Sequence, residues 1–117
     1  MEAVVPILHV ADAQASSDWY GQLGFEVEWQ HAFGPGMPPY VSLRRGAGRL
    51  HLSEHRLDGG PASHVYLYVD DVNSIVPQGA IPEDRPWGMR EARLTDPDGN
   101  VVRIGSPLRE RETEAQP

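Results

Sequence analysis

The segment Asp96-Pro97-Asp98-Gly99-Asn100 decides the fold that we predict for this chain. Pro97 fixes one φ angle and Gly99 can adopt a positive φ, while Asp and Asn side chains suit tight turns. The flanking residues 91–95 and 101–104 alternate in character. A tight turn between two alternating segments is typical of a β-hairpin. We expect the rest of the chain to pair with this hairpin or to close over it.

The first half of the chain is predicted to contain one helix and four strands. Residues 4–10 form the first strand, Asp12 caps a helix over residues 13–23, and Gly24 ends that helix. The Gly- and Pro-rich residues 31–39 predict an irregular loop. The remaining strands are predicted at residues 25–30, 40–45 and 49–53.

The second half is predicted to repeat this order. A strand over residues 63–70 is followed by a helix that Pro77 and Gly79 limit to one or two turns. Residues 81–86 are short and extended, and the hairpin follows. The sequence therefore predicts an α+β fold of two βαβββ modules, which form a curled mixed sheet with a cleft. We expect one domain over residues 1–106, with modules at about 3–58 and 62–106, and a polar tail over 107–117.

Composition excludes several classes of function. The chain has 117 residues, 39% of them hydrophobic, and lacks any apolar run of the length that a membrane span needs. It has no cysteine, which favours a cytoplasmic protein without disulfides. The net charge of -7 argues against nucleic acid as a partner, because phosphates require a basic surface.

Strand alternation assigns side chains to the two faces of each predicted sheet. Leu50 and Leu52 are expected to face a core, whereas Arg49, His51 and Ser53 face the other way. In the second half, the residues expected opposite the core are His64, Tyr66, Tyr68 and Arg103. We therefore predict a cleft lined by His, Tyr, Ser and Arg side chains.

Three motifs support a resemblance to a known superfamily. They are Asp18-Trp19-Tyr20, Leu23-Gly24-Phe25 and the turn over residues 96–100. Together with the layout of the elements, they resemble the glyoxalase/bleomycin resistance/dioxygenase (vicinal oxygen chelate) superfamily over residues 3–106. Residues 44–53 and 86–91 are similar to the bleomycin-resistance proteins in particular.

The resemblance also implies where a metal would lie in the enzymes of the superfamily. The four corresponding positions are Val5, His51, His64 and Arg103. Val5 cannot ligate a metal, and Arg103 places a cation where a carboxylate belongs. We therefore expect no cofactor, no metal and no catalytic residue. The alternative is a metal-dependent glyoxalase-like lyase, isomerase or dioxygenase that uses His51, His64 and a replacement ligand, either His9 or Glu91.

The bleomycin-resistance proteins bind their drug without chemistry, and the resemblance implies a similar role here. The corresponding ligand-binding residues are Trp29, Tyr40, His51, Ser53, His64, Tyr66, Trp87 and Arg103. We expect a bleomycin-like or other planar aromatic antibiotic to stack on the aromatic members, in a groove of a homodimer. Arg44, Arg49 and Arg103 make the cleft partly basic, which favours an anionic or carbonyl-bearing ligand. A protein with some other, unidentified ligand remains a further alternative.

Overall fold

Two four-stranded mixed sheets, each with one short helical segment, form the computed structural model, which describes residues 2–108. The first module contains strands β1 (Ile7–His9), β2 (Glu26–Ala32), β3 (Pro39–Arg45) and β4 (Gly48–Ser53), with helix α1 (Ala13–Gly21) between β1 and β2. The second module contains β5 (His64–Tyr68), β6 (Glu83–Arg85), β7 (Met89–Thr95) and β8 (Val101–Pro107), with a 3₁₀ turn (Val72–Ser74) after β5.

The two modules have the same topology. The strand orders are β1-β4-β3-β2 and β5-β8-β7-β6. In each module the first strand is parallel to the last, and the other pairs are antiparallel. The predicted α+β fold of two βαβββ modules, with a shortened second helix, is therefore confirmed. The two sheets stay separate and do not close into a barrel.

Helix α1 forms because its ends are capped and one side is buried. The Asp12 carboxylate accepts a hydrogen bond from the Ala15 N–H at 3.1 Å, and Gly24 has a φ of +93° beyond the last turn. The side chain of Tyr20 is fully buried, as are Leu43 and Leu52 of the sheet. The helix thus covers one face of the first sheet and leaves the other face for a site.

Strand β2 is longer than the sequence predicts. His31 and Ala32, expected in a loop, pair with Tyr40 and Pro39 because the hairpin continues past the predicted end of the strand. The register shifts between Val27 and Trp29, which is the signature of a β-bulge. As a result, the neighbouring residues Glu28 and Trp29 both contact side chains on the open face.

The turn over residues 96–100 does more than close a hairpin. Asp96 accepts hydrogen bonds from the backbone N–H groups of Asp98 and Asn100 and from the Tyr20 hydroxyl at 2.8 Å. Asp98 accepts a hydrogen bond from the Ala11 N–H at 2.9 Å. Because Ala11 and Tyr20 belong to the first module, this turn joins the two modules.

The predicted C-terminal tail falls mostly outside the described residues. Strand β8 includes Pro107, and the Leu108 N–H donates to the Gly88 carbonyl at 2.9 Å, whereas residues 109–117 are not described. The domain boundary at residue 106 stays a prediction. No helix within residues 2–108 is long and apolar enough to cross a membrane.

Candidate functional site

An aromatic cluster of Trp29, Tyr40 and His51 occupies the open face of the first sheet. Trp29 and Tyr40 stack with their ring centroids 6.1 Å apart and their planes 16° apart. The His51 ring meets both of the other rings edge-on at 5.2 Å. The Trp29 side chain remains 44% exposed, so part of a flat aromatic surface is open to a ligand.

Burial keeps the Tyr40 and His51 side chains of this cluster uncharged. The Tyr40 hydroxyl and His51 Nδ1 share a hydrogen bond of 2.9 Å. Burial lowers the pKa of His51, and the opposing effect of Glu28 is smaller. Burial raises the pKa of Tyr40, and the Asp58 carboxylate adds to that effect. At neutral pH the cluster is therefore a polar, neutral and flat surface.

Glu28 and Arg49 border the aromatic cluster as an ion pair. Arg49 Nε lies 3.0 Å from both carboxylate oxygens of Glu28, and the Ser42 hydroxyl donates to Oε1 at 3.0 Å. Burial raises the pKa of Glu28, but the hydrogen bonds from Arg49 and Ser42 outweigh it and hold that pKa below its usual value. Arg49 is thus already neutralised by a neighbour.

A cavity of about 300 Å³ adjoins the cluster at Tyr40. Phe33 and Met37 of the loop before β3 form one wall, while Ser53 and Asp58 form another. The Ser53 hydroxyl donates to Asp58 at 2.7 Å, so both polar groups have partners. The cavity volume lies at the lower end of the range for sites that bind drug-sized molecules.

A second cluster, which we call the Glu91 cluster, lies on the open face of the second sheet. It contains Tyr66, Arg85, Trp87, Glu91 and Arg103. Glu91 Oε2 accepts hydrogen bonds from the Tyr66 hydroxyl at 2.7 Å and from Trp87 Nε1 at 3.0 Å. Glu91 Oε1 accepts one from Arg103 Nη2 at 2.6 Å. One buried carboxylate therefore fixes both aromatic rings that the sequence predicts as ligand contacts in this module.

Hydrogen bonds within the Glu91 cluster shift the pKa values of Glu91 and Tyr66 in opposite directions. The hydrogen bond from Tyr66 is the main reason that the pKa of Glu91 falls to about 2, although burial opposes it, and Trp87 and Arg103 contribute further. Burial and the hydrogen bond to Glu91 raise the pKa of Tyr66 to about 12. Glu91 stays ionised and Tyr66 stays protonated across the physiological pH range. The Arg103 guanidinium also lies over the Tyr66 ring, 5.6 Å from its centroid.

The structure divides the eight predicted site residues between the two modules. Trp29, Tyr40, His51 and Ser53 lie on the first module, and Tyr66, Trp87 and Arg103 meet around Glu91. His64 is exposed at the start of β5, opposite Val101 in the register. Within residues 2–108, no hydrogen bond or ring contact joins His64 to the other seven.

The residues at the four positions for a metal do not fit one. Val5 offers no ligand atom, and Arg103 is a cation bound to Glu91. His51 Nδ1 is occupied by Tyr40, and Glu91, one of the two candidate replacement ligands, already accepts three hydrogen bonds. Within residues 2–108, no three His, Asp or Glu side chains come together as a possible metal site.

Three functional features escaped the sequence reasoning. Phe33 lies in the predicted irregular loop, yet its ring contacts Tyr40 at 5.9 Å. The role of Glu91 depends on Tyr66 and Arg103, which lie 25 and 12 residues away along the chain, as well as on the nearby Trp87. The β-bulge before Trp29 has no glycine to mark it. Of these three features, only the position of Phe33 could be inferred from the sequence, because it is an aromatic residue inside a Gly- and Pro-rich loop.

Comparison with known proteins decides the family. A family model described as "Glyoxalase superfamily protein" matches residues 1–111. The chain belongs to the glyoxalase superfamily. A search of curated proteins found no match.

Among solved structures, this glyoxalase superfamily member is similar to antibiotic-binding and antibiotic-resistance proteins. One is an antibiotic-binding protein from Streptomyces sp. CB03234, with a TM-score of 0.72, 23% identity, and coverage of 92% of this chain and 97% of the other. A bleomycin resistance determinant encoded on transposon Tn5 has a TM-score of 0.69 and 21% identity, with coverage of 92% and 98%. A bleomycin-binding protein complexed with bleomycin has a TM-score of 0.66 and 23% identity, with coverage of 91% and 98%. At these identities the likeness establishes the fold.

Proposed function

We propose that this protein binds a planar aromatic antibiotic, bleomycin-like or of another type, and sequesters it without chemical change. The observation that carries the proposal is the Trp29–Tyr40 stack, which presents a partly exposed indole beside a cavity of about 300 Å³. The antibiotic-binding proteins of the same fold support the same use of the site.

The aromatic surfaces suit a flat ligand energetically. Each aromatic pair contributes about 0.5–1.5 kcal/mol beyond the area that it buries. Trp29, Tyr40, Tyr66 and Trp87 can therefore supply several kcal/mol together, and Trp87 is 61% exposed in the free chain. Hydrogen bonds to His51 and Glu91 fix three of the four rings, so little conformational entropy is lost on binding.

The two clusters lie on different modules, and we propose that a homodimer brings them together around one ligand. Strand β2 is an edge strand whose seven residues are all exposed, among them Val27 and Trp29. Edge strands with exposed apolar residues are typically covered by a partner. A dimeric mass in light scattering at micromolar concentration would support this arrangement, and a monomeric mass would contradict it. We place the protein in the cytoplasm because it has no cysteine.

The test uses two probes, bleomycin and the neutral tricycle phenazine-1-carboxamide. We expect at least one to quench the tryptophan fluorescence saturably and to raise Tm, because a ligand at 100 times its Kd stabilises by about 2.7 kcal/mol. Trp87→Ala should weaken this binding without unfolding the protein. Trp19→Phe is the matched control, since Trp19 packs edge-on against Tyr20 on α1. If neither probe changes fluorescence or Tm, the proposed function is wrong.

A further inference from the structure

The open face of the second sheet brings three arginines together. Arg103 on β8 lies directly opposite Arg93 on β7, so both side chains project from the same face. Arg85 on β6 reaches the same place, with its Nε 3.7 Å from Glu91 Oε1. Tyr66 pairs with Arg103 on the other side. This arginine group of Arg85, Arg93 and Arg103 therefore lies next to the aromatic rings of the proposed site.

The acidic residues on this face neutralise the arginine group only in part. Glu91 is ion-paired with Arg103 at 2.6 Å, and its side chain is only 4% exposed. Glu83 is on the exposed rim, 3.5 Å from Arg85. Arg93 is exposed and has no hydrogen bond or ion pair with any residue in the described part of the chain. Three guanidinium groups thus meet two carboxylates, and two of the cations oppose each other directly.

Arg85 adds an independent observation. Its Nε is buried, yet it has no hydrogen-bond partner within residues 2–108, because Glu91 Oε1 is too distant to accept a hydrogen bond. A buried charged donor without an acceptor is unfavourable. The Arg85 and Arg103 side chains are each 39% exposed, so a ligand can reach both. Because Nε itself is covered, an anionic oxygen placed here would contact the exposed part of the Arg85 side chain and relieve the repulsion between Arg93 and Arg103.

We propose that the natural ligand is a planar aromatic compound that carries an anionic oxygen group, such as a carboxylate or an ionised enol, bound by the arginine group. Its ring stacks near Tyr66 and Trp87 while its anionic oxygens contact Arg85 and Arg93. Guanidinium groups bind such oxygens with charge-assisted, often bidentate, hydrogen bonds. This inference rests on the proposed function and narrows its ligand class. It places the anionic end of the ligand at the arginine group of the second module, beside Tyr66 and Trp87.

The experiment compares phenazine-1-carboxylate with phenazine-1-carboxamide, which share a ring system and differ by one charge at pH 7.5. Isothermal titration calorimetry at low ionic strength should give a Kd for the carboxylate at least tenfold lower than for the carboxamide. Because the difference is electrostatic, the ratio should shrink as salt is added. Arg93→Gln and Arg85→Gln should each reduce the ratio at least threefold and leave the carboxamide Kd within twofold of wild type.

Arg56→Gln is the matched control. Arg56 is exposed in the loop after β4, and its substitution changes the net charge by the same amount. It should leave the ratio of the two Kd values unchanged. Of the two test variants, Arg93→Gln is expected to disturb the fold less. Arg93 has no ion pair or hydrogen bond among the described residues, whereas Arg85 is ion-paired with Glu83 and Glu91.

Each outcome separates the two proposals. Equal Kd values for the two probes, or a ratio that Arg93→Gln leaves unchanged, would overturn the anionic ligand class while planar aromatic binding stands. A ratio lowered as much by Arg56→Gln as by Arg93→Gln would also overturn it, because net charge alone would explain the preference. If neither phenazine binds, this inference fails, whereas the proposed function fails only if bleomycin does not bind either.

Discussion

The phenol ring of Tyr66 lies directly over Gly105, and the missing side chain at that position lets its hydroxyl reach Glu91. A Cβ atom at residue 105 would overlap the Tyr66 hydroxyl and would also crowd the methyl end of Met89. Glu91 and Gly105 are direct cross-strand partners on β7 and β8. The Glu91 cluster therefore depends on a glycine whose φ is ordinary and whose role is to leave space.

Gly105→Ala should destabilise the protein by about 1–3 kcal/mol, because Tyr66 must move and its hydrogen bond to Glu91 is weakened. Urea denaturation at pH 7 measures this change. Gly21→Ala is the control, since nothing lies within 4 Å of a Cβ built at that helical position. The control should be neutral or stabilising by up to about 1 kcal/mol. Equal stability of Gly105→Ala and wild type would contradict the close contact.

Low pH should destabilise the protein, partly because the Glu91 carboxylate becomes protonated. The pKa of Glu91 is lowered from the ordinary value of 4.5 to about 2 in the folded protein. Its contribution to the free energy of unfolding is therefore fully present above about pH 4.5 and is lost as the pH falls towards 2. Between pH 5 and pH 2.5, wild type should therefore lose about 1–3 kcal/mol more stability than Glu91→Gln. Denaturant titrations of both proteins at several pH values give the comparison. Parallel pH profiles would mean that the Glu91 carboxylate has an ordinary pKa.

Tyr20→Phe should destabilise the protein by about 1–3 kcal/mol, because it removes a buried hydrogen bond to the Asp96 carboxyl group that links the modules. Tyr68→Phe removes a hydroxyl from a largely exposed ring and should change stability by less than about 0.5 kcal/mol. Thermal unfolding of the two variants beside wild type separates these cases. Similar Tm values for both variants would argue against a link through Asp96.

Arg93→Gln should stabilise the free protein by about 0.2–1 kcal/mol at low ionic strength, because it removes a like-charge pair with Arg103. The gain should fall at 0.5 M NaCl, where the repulsion is screened. Denaturant unfolding at the two salt concentrations measures both values. A loss of stability at low salt would show that Arg93 has a favourable partner in the folded chain.

Local chemistry made most of the fold predictable. The residues of the turn at 96–100 fix their own conformation, and the alternation around Leu50 and Leu52 assigns the buried face correctly. The limits of β2 were harder, since His31 and Ala32 are held by pairing with β3 rather than by their own propensity. The β-bulge beside Trp29 likewise depends on the partner strand.

The sequence names individual side chains of the candidate site, but it does not predict how they contact one another. The sequence indicates Trp29, Tyr40 and His51 one by one, and the structure places them in contact. The sequence offers Glu91 as a replacement metal ligand, whereas in the structure it accepts hydrogen bonds from Tyr66, Trp87 and Arg103. Such a role depends on the register of three strands and on the space above Gly105, and neither is encoded by spacing along the chain.

The most direct test of the central claim is calorimetric titration of phenazine-1-carboxylate into wild type, Trp29→Ala and Ile81→Ala. Trp29 and Ile81 are both large, exposed hydrophobic residues, but only Trp29 belongs to the aromatic cluster. We predict saturable binding to wild type, a Kd at least tenfold weaker in Trp29→Ala, equivalent to about 1.4 kcal/mol, and a Kd within twofold of wild type in Ile81→Ala. Absence of saturable heat with wild type, or equal affinity of Trp29→Ala and wild type, would contradict the claim that this aromatic surface binds a planar ligand.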